Sequence, residues 1–222
     1  MEEKYPCPPM TPKQWIANFW YYYKWFVMLG IVLVLLFGIA TVQYFTKSVP
    51  DVSLLYVGEF SISDSDCKKI INSTEKVIPD VNSDGEVSVN LQSFALLSDY
   101  DYLTDGQKIQ AMEEYQEYSD EILSGDGAIL LLDEYFYTEL AENGALVNLH
   151  EIFDELPDSA IDMFGVKLSK TSLYKKDGFS SLPKDTIVCL KFSSVITDKT
   201  EIERAEEDLI NREIFKTLLE SN

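Results

Sequence analysis

Hydrophobic and polar positions divide this chain into one long apolar stretch and a series of short periodic ones. From Trp25 to Thr46 no residue carries a formal charge, and Phe26 to Phe37 is all Val, Leu, Ile, Met and Phe apart from Gly30. As a helix rising 1.5 Å per residue, such a stretch reaches roughly 30 Å, the thickness of a bilayer's hydrocarbon core. A helix covering the core of a soluble domain shows a polar face, and this one has none. Lys24 and Lys47 bracket it. Trp20, Tyr21, Tyr22, Tyr23 and Trp25 crowd one end, and Tyr44 and Phe45 the other, as interfacial aromatics do. Residues 25–46 therefore predict a transmembrane helix, and the lipid bilayer is the first partner implied.

Before it, residues 1–24 read as a cytoplasmic tail and an interfacial helix. The tail, 1–10, is polar and Pro-rich, and Thr11-Pro12-Lys13-Gln14 is a helix start with a threonine cap and proline in the first turn. After the span, residues 47–51 form a linker so short that the following domain, 52–222, must lie close to the bilayer.

That domain alternates two periods. Val52–Val57 is an apolar run ended by Gly58, a buried strand. Ser63–Ile78 is a helix with Ser63 or Ser65 as cap and Pro79 as stop. Glu86–Phe94 alternates like a second strand. Thr104-Asp105-Gly106-Gln107 is a capping box that opens a helix, with Ile109, Met112, Tyr115, Tyr118 and Ile122 read as its inward face. Gly127–Leu132 is a third buried strand, followed by a helix from Asp133 to Glu142 that ends at Asn143-Gly144. Thr186–Phe192 is a further strand. A final helix follows Asp198-Lys199-Thr200-Glu201, with Ile202, Ala205, Leu209, Ile214 and Leu218 read as inward. Alternating strands and helices predict an α/β domain: one mainly parallel sheet with helices on both faces.

Charge sharpens the division. Residues 1–47 hold four Lys against Glu2 and Glu3, a net +2. The remainder holds fourteen basic and thirty-six acidic residues, a net −22. Lys4, Lys13 and Lys24 place the amino-terminal side in the cytoplasm and the acidic domain outside it. The apolar run exceeds a signal peptide's and no small-residue cleavage site follows, so an uncleaved, single-pass signal anchor is expected. So acidic a domain repels phosphate backbones, which argues against a nucleic-acid partner. Cys67 and Cys189 are either a disulfide or, more simply, two inert thiols in a helix and a strand. His150 is the chain's one histidine, which excludes a two-histidine metal site. No cofactor is expected.

Asp80, Asn82 and Asp84, followed by Gly85, match the first half of a calcium loop, but Leu91 stands where the bidentate carboxylate belongs. The segment is a weak calcium candidate beside its plainer reading, a polar turn into the second strand.

Ser124-Gly125-Asp126-Gly127-Ala128-Ile129-Leu130-Leu131-Leu132-Asp133, with Gly144-Ala145-Leu146-Val147-Asn148-Leu149 after the helix, resembles the extracellular solute-binding proteins of ABC importers. The flank Asn18–Trp25 resembles that of uncharacterised single-span proteins of clostridial-type bacteria. The first resemblance implies a solute-binding-like lobe. Such proteins close two lobes on a ligand, and 52–222 is long enough for one; it also lacks their lipid-anchor cysteine.

Ligands of open parallel sheets sit outside the carboxyl ends of the strands. Those ends carry Glu59; Asp99, Tyr100 and Asp101; and Asp133 and Tyr135, each acid beside an aromatic. Carboxylates with aromatic faces suit a small cationic or sugar-like ligand. The plain alternative is that these acids cap helices. The sequence thus predicts a membrane-anchored, extracytoplasmic, non-catalytic binding module. An assembly subunit contacting a membrane protein partner is the alternative. A hydrolase using paired carboxylates is the third reading, with no nucleophile–base pairing to support it.

Overall fold

The computed structural model describes residues 11–45, 50–97, 103–125, 127–194, 196 and 199–221, and the side chains of 40 and 42–45 are outside that description. The chain divides into two compact units, Met1–Ser48 and Val49–Asn222.

The first unit is one helix, α1 (Pro12–Phe45). The Gln14 side chain accepts from the Thr11 backbone N–H at 3.0 Å, as the sequence reading expects of its start. Its segment Pro12–Ile39 is long and apolar enough to cross a membrane, and none of it is buried within the protein. Trp15, Phe19, Tyr23 and Phe26 form a ladder of ring contacts along it, with centroids 5.7, 5.1 and 6.4 Å apart.

The second unit is built on a five-stranded sheet: β1 (Val52–Gly58), β2 (Val89–Ala95), β3 (Ile129–Leu132), β4 (Gly165–Lys167) and β5 (Ile187–Leu190). Their order is β2-β1-β3-β5-β4. β1 is parallel to β2 and β3; β5 is antiparallel to both β3 and β4. β4 consequently runs with the first three, so the sheet is mainly parallel, as the element order implies, with β5 as the reversed strand.

Central strands read as continuous apolar runs because both faces are covered. On β1, Val52, Leu54 and Tyr56 enter one core while Leu55 and Val57 enter the other. Ile129 and Leu131 divide from Leu130 and Leu132 in the same way, and Val188 and Leu190 from Ile187 and Cys189. The first core is closed by α2 (Asp64–Glu75) through Ile70 and by α5 (Glu201–Glu220) through Ile214, Phe215 and Leu218. The second is closed by α3 (Asp105–Ser124) through Tyr118 and by α4 (Glu134–Glu142) through Phe136, Tyr137 and Leu140. Edge strand β2 starts at Val89, three residues after the expected Glu86, because Asp84 and Gly85 hold 84–86 in a turn.

Both long helices depart from their expected inward stripes. Ile109 and Met112 are 61% and 71% exposed, and Ile202 and Leu209 are 72% and 64% exposed. Ala205 is exposed as well. At 100° per residue, an i, i+3 series drifts by about 60° per step, so Ile109 ends opposite Tyr118. On α5 the core face carries Asn211, Ile214, Phe215 and Leu218. Ile202, Ala205 and Leu209 form a second stripe on the other side. The single stripe that the pattern predicts is two in the fold.

Cys67 and Cys189 are free thiols, Cys189 fully buried. Burial raises both above the usual thiol range, far more for Cys189, and for Cys67 the charges of Asp64 and Asp66 add to it.

Candidate functional site

The carboxyl ends of β1 and β3 lie side by side, since Val57 pairs with Leu132. The Asp133 N–H donates to the Val57 carbonyl at 3.1 Å, which carries the ladder one step past the strands. Asp133 is the cap of α4: its Oδ1 accepts from the Phe136 N–H at 3.1 Å. Half-burial raises its carboxyl above the ordinary range. The Phe136 N–H pulls it back, the Glu59 charge raises it further, and the Glu59 and Tyr135 N–H groups act downward. Glu59 and Asp133 therefore share one rim.

Tyr56 is buried beneath that rim, 1% exposed. Burial, then the Asp133 charge, push its hydroxyl up to about 12, against the pull of the Phe60 N–H; Asp185 adds a smaller push. Gly58 makes room for this arrangement, because a Cβ there would stand 2.9 Å from the Tyr56 hydroxyl and 3.4 Å from Asp133 Oδ2. Phe60, Leu97 and Tyr135 are 45%, 41% and 54% exposed. Each follows a different one of the three adjacent strands β1, β2 and β3. Tyr135 also lines an open, acidic cleft of about 640 Å³ on α4, with Glu134, Thr138, Glu139 and Glu142. Glu139 Oε1 accepts from the Tyr115 hydroxyl at 3.0 Å. Asp99, Tyr100 and Asp101 lie outside the described residues.

Sequence reasoning missed Tyr56 and Asp185. Tyr56 is hidden within an apolar run. Asp185 precedes a strand instead of following one, and reaches this rim because β5 runs backwards. A search restricted to carboxyl ends passes over it.

The calcium half-loop uses its acids on its own backbone. Asp80 Oδ2 accepts from the Gly85 N–H at 2.9 Å, Asn82 Oδ1 from Asp84 at 2.9 Å, and Asp84 Oδ1 from Glu86 at 2.9 Å. From below, Asp51 accepts from Val81, Asn82 and Ser88. No group of three or more His, Cys, Asp and Glu side chains is arranged to hold a metal among the described residues. These contacts are those of a polar turn.

No family model matches the chain, and no curated protein does. Among solved structures, an extracellular solute-binding protein family 1 member from Alicyclobacillus acidocaldarius subsp. acidocaldarius DSM 446 is similar. The match has 14% identity, covers 55% of this chain and 29% of that one, and has a TM-score of 0.30. The chain spans under a third of that protein's length, and so slight a likeness transfers neither ligand nor two-lobed architecture.

Proposed function

We propose that this chain is a membrane-anchored, extracytoplasmic and non-catalytic binding module. Its α/β domain takes a small cationic or sugar-like ligand at the carboxyl ends of β1 and β3. Residues 25–46 act as the anchor, with the amino terminus in the cytoplasm. The observation that supports the site is the meeting of Glu59 and Asp133 on one rim, with Phe60 and Tyr135 exposed beside them. A carboxylate pair gives a cation its counter-charge, and an aromatic face stacks on a cation or a sugar ring. Titrating the detergent-solubilised chain with putrescine, arginine and glucose tests this. Saturable binding by one of them, weakened tenfold or more by Glu59→Gln or Tyr135→Ala, is expected. Indifference of all three probes overturns the reading.

The second reading, an assembly subunit, is favoured by the outward stripe of Ile202, Ala205 and Leu209 on α5. A stoichiometric membrane partner retained through detergent purification, and lost in Leu209→Ser, would select it.

A further inference from the structure

The lysines of this acidic domain are unevenly placed. Residues 166–191 hold six lysines against Asp177 and Asp185, while the rest of 48–222 holds eight basic and thirty-four acidic residues. The lysine-rich segment contains short 3-10 turns at Leu168–Lys170, Leu173–Lys175 and Phe179–Ser181. It packs between the ends of α2 and α5. Ser73 Oγ donates to the Asp177 carbonyl at 2.8 Å, and Ser172 Oγ donates to the Ser221 carbonyl at 2.6 Å. Gly178, with φ of +90°, lies so close to α2 that a Cβ would stand 2.6 Å from the Ile70 nitrogen.

Where these three pieces meet is an open cleft of about 780 Å³, lined among others by Ser73, Lys76, Lys175, Lys176 and Thr217. Among the described residues none of these three lysines is in an ion pair, although Asp177 and Glu220 also line the cleft. Elsewhere Lys69 is paired with Asp66, Lys199 with Glu207 and Arg212 with Glu151. Lysines near helix carboxyl ends ordinarily serve the terminal carbonyls and the dipole. Here part of that work is done by other groups. The Thr74 carbonyl accepts from the Val77 and Ile78 N–H groups, and the α5 end is closed by Ser172.

We propose that this cleft is an anion site that takes a phosphate group, with Lys76, Lys175 and Lys176 supplying charge. An ammonium is a compact point charge suited to phosphate, and three of them against the carboxylates of Asp177 and Glu220 leave this cleft net positive in an otherwise acidic domain. The phosphate comes from a soluble phosphate ester or from a lipid headgroup. The site is on the opposite face of the sheet from α3 and α4, and it does not depend on the ligand reading of the β1–β3 rim.

The test is calorimetric titration of the full chain in phosphatidylcholine nanodiscs with inorganic phosphate, at constant ionic strength against chloride. Glycerol 1-phosphate, and nanodiscs containing phosphatidylglycerol, form the second and third arms. Saturable phosphate binding is expected, with Kd raised at least tenfold in Lys175→Gln/Lys176→Gln and unchanged in Lys108→Gln, on α3. Competition by glycerol 1-phosphate alone identifies a soluble ester, and loss of phosphate binding in phosphatidylglycerol discs identifies the headgroup. Absence of saturable binding overturns the proposal, as does equal binding by the double variant. A lowered Tm in the double variant, in a chain that binds no phosphate, also overturns it and assigns the lysines to the helix ends.

Discussion

Ser88 donates its backbone N–H to Asp51 Oδ2 at 2.8 Å, tying the residue before β1 to the residue before β2. The same carboxylate accepts from Val81 at 2.8 Å and Asn82 at 3.0 Å, and Asp51 is only 8% exposed. One side chain thus fixes both ends of the 80–88 turn. Asp51→Ala leaves three part-buried donors without an acceptor. At about 1–3 kcal/mol for each group left unsatisfied, partly relieved by water, a loss of about 3 kcal/mol is expected in urea unfolding.

The same carboxylate gives the domain an acid limb. Burial raises the Asp51 pKa, but the N–H groups of Ser88, Asn82 and Val81 outweigh it and leave the group below its ordinary value. A depressed folded pKa means the stabilisation is complete above the unfolded value of about 4 and disappears as pH falls through the folded one. Urea midpoints measured downward from pH 5 should fall, and fall less steeply in Asp51→Asn.

Asp133 has the opposite sign. Its raised pKa means that the ionised form is disfavoured in the folded chain, so its contribution improves as pH falls through the folded value. Asn caps a helix about as well as Asp. Asp133→Asn is expected to leave Tm at pH 7 unchanged or higher, while Asp133→Ala, which loses the bond to Phe136, costs about 1 kcal/mol. Lost ligand binding in an Asn variant of undiminished Tm separates a recognition role from a cap.

Gly178 is a position where a single methyl group should be severe. Its φ of +90° disfavours any L side chain, and its Cβ would meet the Ile70 nitrogen at 2.6 Å and Lys69 Cβ at 2.9 Å. Neither contact is a flexible side-chain end. Gly178→Ala should cost upward of about 2 kcal/mol and loosen α2, read as faster amide exchange there.

The two stripes of α5 are separable by mutation. Phe215 is fully buried and Phe215→Ala should cost about 3–5 kcal/mol. Ile202→Ser and Leu209→Ser, on exposed positions, should stay within about 0.5 kcal/mol of the parent chain.

These helices also mark where the sequence was legible and where it was not. The capping box at Thr104, the Asp133 cap and the first of the two serine candidates, Ser63, are local chemistry, and those helices begin beside them; α5 begins at Glu201 on a Thr200–Glu203 box within and just past the expected Asp198–Glu201 segment. The apolar runs of β1, β3 and β5 announce strands covered on both faces. Which side of α3 or α5 meets the sheet is not local. It depends on where the sheet ends beneath the helix, so Ile109 and Ile202 are inward by pattern and outward in space. For the rim, the pairing of Glu59 with Asp133 followed from parallel strands. Asp185 did not, because the reversal of β5 leaves no mark in its own apolar run.

That reversal carries a consequence for assembly. β5 separates β3 from β4, yet it is made after both. Until Ile187–Leu190 has been synthesised, β3 has an open flank and β4 has no neighbour in the sheet. Closure is a late event joining distant parts of the chain, a route that is slow and leaves pairing edges bare in the interval. A nascent chain halted before residue 187 should therefore be the species most prone to self-association.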